Sequence, residues 1–297
     1  AARLGIEHRV VALAEEYKQT VLEYFREEYL AGRTPNPCVR CNQRMKFGFL
    51  IEQARAQGAE FDKFATGHYA RTRFDEASGR WQLLRGKDAG KDQSYFLSRL
   101  KQEQLANLIF PLGELRKGQV KELARELGWG DLAEKDESQD FIECDDYAVL
   151  FRKGDARPGD FVARDGKVLG RHRGIIHYTI GQRKGLELGG GGTPLYVVEI
   201  DAARNRVVVG PREELHAREL VAGDLNWVGW AGAPAEPFRC EVQIRQRHKA
   251  APATVTATDG RLRAVFDEPQ LSITPGQIAV FYAGDVVLAS GTIEKPA

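Results

Sequence analysis

The chain has 297 residues, 42% of them hydrophobic and 29% charged, with a formal net charge of +1. That length suits two or three domains, and the near-neutral balance says nothing about nucleic-acid binding, leaving that argument to local basic patches. No apolar run approaches the roughly 20 residues of a membrane-spanning helix, the first residues lack the basic-then-apolar pattern of an export signal, and four cysteines do not make a disulfide framework; a cytoplasmic protein using thiols for metal, redox or nucleophilic work is expected.

In chain order, Ala1–Gly5 reads as the last turn of a helix and His8–Leu13 as a short buried strand. Glu15–Leu30 carries Tyr17, Val21, Leu22, Tyr24, Phe25 and Tyr29 at helical spacing. Next comes GRTPNPCVRCNQRMKFGF. Pro35 and Pro37 remove two backbone donors and push Thr34 and Asn36 out of the α region. This predicts a stiff loop that presents Asn36, Cys38 and Cys41 and enters a helix near Asn42. A thiol just ahead of a helix N-terminus is expected to have a lowered pKa. Arg33, Arg40, Arg44 and Lys46 act in the same direction. The stretch therefore reads as a place for sulfur chemistry near an anion.

Phe47–Gln57 reads as a helix closed by Gly58, and Phe61–Thr66 as a strand. Helix and strand alternating in this way predict an α/β fold with a doubly wound parallel sheet. Ligands of such sheets bind at the carboxyl ends of strands, which is where Gly67 and His68 fall. His68 reads equally as a loop histidine that caps the next element.

Trp81–Arg85 looks like one strand of a hairpin. Lys91, Asp92 and Gln93 follow, a polar cluster that also suits a solvated turn with an N-cap. Gln102–Leu108 and Lys117–Leu127 read as amphipathic helices, the second ended by Gly128. An acidic segment without periodicity carries Cys144 and reads as a loop. From Gly159 the texture turns β-rich, with a hairpin signal at Asp165–Gly166 and basic residues Arg171, His172, Arg173, Arg183 and Lys184. The Gly189–Gly192 run lacks the lysine and hydroxyl of a phosphate loop and reads as a connector. Beyond about Glu213, closely spaced short strands predict a small antiparallel barrel or sandwich. Arg245, Arg247, His248 and Lys249 make one strand edge there basic, which suits a phosphate backbone or an ordinary charged face.

Taken together, GRTPNPCVRCNQRMKF, ATGHYAR, GKDQSYFL, FPLGELRKGQVKELARELG, YTIGQRKGL and TPGQIAVFY resemble the tRNA 2-thiouridylases of bacteria and mitochondria, the MnmA/TrmU family. The likeness keeps its order along the whole chain. It implies an adenylating α/β domain (residues 1–143), a small central β-rich tRNA-binding domain (144–212) and a C-terminal β-barrel (213–297). It also implies ATP-dependent replacement, with Mg2+, of the C2 oxygen of the wobble uridine by sulfur. By the same resemblance Cys41 and Cys144 are the catalytic thiols. Asn36, Pro37 and Cys38 would touch the target base, and Gly67 would contact ATP. His68, Lys91, Asp92, Gln93, Arg245, Gln246 and Gln277 would touch tRNA.

Sulfur would arrive as a persulfide on Cys144 from a donor protein, to be resolved by Cys41 as a disulfide. Alternatively a [4Fe-4S] cluster on Cys38, Cys41 and Cys144 would hold it. Two departures stand out: the family's SGGxDS phosphate loop is missing, as expected of a partial chain or of a variant that lost adenylation or takes the loop from another polypeptide, and Cys144 sits two residues beyond the family spacing. A zinc knuckle at Cys38/Cys41 lacks a second ligand pair. A tRNA-binding protein without catalysis is the remaining alternative.

Overall fold

The computed structural model describes residues 1–134, 147–188 and 193–296. A helix spans residues 14–30. Its apolar stripe buries Val21 and Phe25, each contributing about 1.5–3 kcal/mol. It stops where Gly32 takes φ +73° and Arg33 N–H donates to Glu28 O at 2.8 Å, the hydrogen-bonding pattern of a glycine-closed helix end. The strand expected at His8–Leu13 does not form. Residues 6–13 have no regular structure and are largely exposed, because among the described residues no strand pairs with them.

The next helix, residues 37–56, starts five residues earlier than the proline pattern suggested. Asn36 is its N-cap, accepting from Val39 N–H at 3.1 Å, and Pro37 takes the first helical position. There its missing N–H costs nothing and its φ is already helical. From Cys41 to Phe49 the helix widens into π-type turns. Gln104 Nε2 reaches in from outside and donates to the carbonyls of Gln43 and Phe47 at 3.0 and 2.7 Å.

Strand β1 (Phe64–Ala65) pairs in parallel with β4 (Leu108–Ile109). Leu108 was expected to end a helix; the helix there is shorter, Gln102–Leu105. Between them β2 (Ala70–Asp75) and β3 (Arg80–Arg85) form the expected hairpin. The α/β arrangement anticipated from the alternation is thus present, with its parallel pair at the floor of the site.

The central unit is a four-stranded sheet made by β5 (Gly159–Val162), β6 (Val168–His172), β7 (Tyr196–Asp201) and β8 (Arg206–Gly210). Strands β5 and β6 form the hairpin read at Asp165–Gly166. In the last unit β9 (His216–Trp227), β10 (Phe238–Gln243), β11 (Ala251–Thr258), β12 (Arg261–Leu271), β13 (Ile278–Ala283) and β14 (Val286–Pro296) follow one another. Antiparallel pairings, closed by β13 on β14, make them a six-stranded barrel.

The barrel is not a separate bead. Val286 of β14 pairs with Leu84 of β3, so the β2–β3 hairpin extends the barrel's sheet. One apolar cluster runs through the interface, holding Val39 and Phe47 of the thiol helix together with Val280 and Tyr282 of β13. No described helix is long and apolar enough to cross a membrane.

Candidate active site and nucleic-acid interface

Cys38 and Cys41 lie three residues apart in the first turn of the 37–56 helix, a spacing that puts both side chains on one face. Both are half-buried, and the Cys41 thiol is free. The expectation of a depressed pKa at Cys41 is corrected: burial raises it, and the nearby Lys46 ammonium offsets part of that rise. The reason is positional. The thiol sits inside the helix, not ahead of it, so desolvation outweighs the dipole. The phenol of Tyr17, from the preceding helix, feels both sulfurs. Burial and the thiols together push its pKa up to about 12, so it remains a hydroxyl.

Of the four cations expected to favour a thiolate, only Lys46 does so. Arg33 pairs with Glu28, and Arg40 stacks 4.9 Å over Tyr24. Arg44 is exposed and lines another surface recess with Phe47 and Gln104. Lys46 is five positions from Cys41. An α-helix would turn it about 140° away, whereas the i→i+5 turn brings it round to the thiol face. Asn42 was not singled out from the sequence. Its Nδ2 donates to Cys38 O at 3.1 Å, and its buried Oδ1 has no partner among the described residues. The local signal was its place directly after the second cysteine.

Gly67 follows β1 by two residues at its carboxyl edge, exposed, as the strand rule required. His68 is 8% exposed. Its ring lies 5.7 Å from that of Phe47 and 6.0 Å from that of Phe110, and Nδ1 bonds Thr66 Oγ1 at 2.8 Å. Burial first, then the Lys46 charge, lowers its pKa to about 4. It is a neutral wall of the site.

Gly67 also borders a cleft of about 510 Å³ shared by Lys91, Asp92, Gln93, Gln246 and Arg247. The polar cluster here is largely scaffold. Asp92 Oδ1 accepts from Gly86 and Ser94 N–H at 2.8 and 3.0 Å. Gln93 and Tyr69 exchange two bonds of 2.9 Å, Tyr69 N–H to Gln93 Oε1 and Gln93 N–H to Tyr69 O. Lys91 and the exposed Arg247 provide charge at this cleft, whereas Arg245 donates to Leu271 O at 2.9 Å and is partly buried. The structure thus brings Asn36, Pro37, Cys38 and Cys41 onto one helix start, and Gly67, Lys91, Asp92, Gln93 and Gln246 round one cleft. Gln277 joins the first group by a different route. Its Nε2 donates to Thr34 O and Pro35 O at 3.0 and 3.1 Å. Cys144 lies outside the described residues.

Three family profiles match in series: a tRNA methyl transferase HUP domain over residues 1–144, a tRNA methyl transferase PRC-barrel domain over 148–211 and an aminomethyltransferase beta-barrel domain over 217–293. The tRNA-specific 2-thiouridylase MnmA of Solibacter usitatus is 48% identical over 99% of this chain and 82% of its own length. That of Geobacter metallireducens is also 48% identical, over 99% and 80%. That of Nostoc punctiforme is 46% identical, over 99% and 84%. The chain belongs to the MnmA family of tRNA-specific 2-thiouridylases. As a member of the MnmA family it is a transferase, and the resemblance carried by its motifs holds along the chain.

Proposed function

We propose that this chain thiolates tRNA, replacing the C2 oxygen of the wobble uridine with sulfur carried on cysteine, in the cytoplasm. The observation that carries this reading is the pair of cysteines on one helix face, with Lys46 beside Cys41 and a cationic cleft next to His68. In this reading a donor protein loads sulfur onto Cys144. The terminal sulfur of that persulfide attacks C2 of the activated uridine. The Cys41 thiolate then attacks Cys144 Sγ. The S–S bond breaks, its electron pair stays on the sulfur now attached to the base, and the oxygen departs with its activating group. A Cys41–Cys144 disulfide remains for an external thiol to reduce.

Activation by ATP goes with the domain class of residues 1–144. Gly67, two residues beyond β1, is the residue here that suits contact with the nucleotide. The sequence holds no SGGxDS loop to seat a triphosphate, so no step is assigned to ATP or Mg2+ on these residues. A [4Fe-4S] cluster on Cys38, Cys41 and Cys144 is the other sulfur source considered. Iron and acid-labile sulfide assays on anaerobically purified protein separate the two.

In this reading Lys91 and Arg247 supply charge for phosphates, and Asn36, Pro37 and Cys38 are the residues that the family resemblance assigns to a flipped base. The test is complementation of a bacterial strain lacking its own thiouridylase, scored as 2-thiouridine by mass spectrometry. Wild type should restore the nucleoside and Cys41→Ser should not. A chain that binds tRNA yet restores none would turn the reading to a non-catalytic tRNA binder.

A further inference from the structure

The five residues before the thiol helix are held by all three parts of the chain. From the barrel, Pro275 O accepts Thr34 N–H at 2.8 Å, and Gln277 Nε2 donates to Thr34 O and Pro35 O. From the central unit, Thr179 Oγ1 meets Thr34 Oγ1 at 3.2 Å. Glycines allow the close fit. Gly276 has φ +90°, and a Cβ there would stand 2.9 Å from Thr34 O. A Cβ on Gly32 would stand 3.1 Å from Ile200 O of β7. Both Nε2 hydrogens of Gln277 are used within the protein, leaving only its oxygen to meet RNA.

We propose that Gln277 is a positioning residue: it fixes the backbone just ahead of the Asn36 cap, so that docking of the barrel sets where Cys41 stands. The carbonyls it holds belong to residues that prolines have already stripped of alternatives, since Pro35 has no N–H and Pro37 occupies the first helical position. The role rests on the sulfur-transfer reading for its consequence, but not for its geometry. It differs from a base contact, which would spend the amide on RNA.

The experiment compares the full chain with Gln277→Ala and with Gln277→Lys, which keeps a donor. Hydrogen exchange is followed by mass spectrometry in the absence of tRNA. The peptide covering residues 36–46 should exchange about tenfold faster in Gln277→Ala, with barrel peptides unchanged, and Gln277→Lys should restore most of the protection. In turnover the alanine variant should lose kcat while its tRNA Kd stays within about twofold. Unchanged exchange at residues 36–46, or weakened tRNA binding with that protection intact, overturns the proposal in favour of an RNA contact. If Gln277→Ala does not fold, Gln277→Glu, which sets an acceptor against two carbonyls, gives the same reading. A wild type that makes no 2-thiouridine would sink the functional reading and leave the exchange result standing.

Discussion

Arg26 meets Asp155 through two charge-assisted hydrogen bonds of 2.6 and 3.0 Å, with both side chains 14% exposed. It ties the 14–30 helix, which packs beside the thiols, to the central unit. The Arg26 guanidinium, bonded to the Asp155 carboxylate, holds that carboxyl below its usual range. Asp155→Ala should therefore destabilise the protein by about 2 kcal/mol in urea denaturation. Because the folded pKa is the lower one, this contribution is full above the ordinary carboxylate pKa and disappears as pH falls through the folded value. A variant as stable as wild type at pH 7 would show the pair to be idle.

His68 has its own pH signature. Its folded pKa of about 4 lies below the ordinary 6.5, so the unfolded chain takes up the proton first. Stability should be flat above pH 6.5 and should fall as the pH drops from 6.5 towards 4, by up to about 3 kcal/mol. Asp155 adds to acid loss only lower on the scale. His68→Leu should remove the upper part of the slope, and an unchanged slope would assign it to another group.

For Cys41→Ser, loss of sulfur transfer is expected with the melting temperature within a few degrees of wild type and tRNA affinity intact. Half-burial and a free thiol leave little packing to lose. If the serine variant unfolds, the thiol is structural.

RNA contact should divide two neighbouring arginines. Exposed Arg247 borders the cleft, so Arg247→Ala should weaken tRNA binding and reduce the salt slope by about one. Arg245 holds the carbonyl of Leu271, so Arg245→Ala should also lower barrel stability. Filter binding across a salt series and thermal melts on both variants separate these effects.

Much of this protein is written locally. The Asp165–Gly166 hairpin, the helix read over Glu15–Leu30, the barrel strands and the motif text around Cys38 and Cys41 can be read from the sequence, because periodicity, turn chemistry and motif spacing act over a few residues. Even Asn36 and Pro37 held the correct helix start as a cap and a first-turn proline, though the two prolines together suggested a loop. The missing strand at His8–Leu13 needed a partner that local pattern cannot supply.

The tertiary structure alone decided the rest. Burial, not helix position, sets the direction of the Cys41 pKa, and an aromatic wall with a neighbouring ammonium keeps His68 neutral. The wide turn that brings Lys46 to the thiol face is braced by Gln104, sixty-one residues beyond Gln43. The hold of Gln277 on Thr34 spans 243 positions. Desolvation and hydrogen bonds between distant segments exist only once the chain has closed on itself, and no short window of sequence contains them.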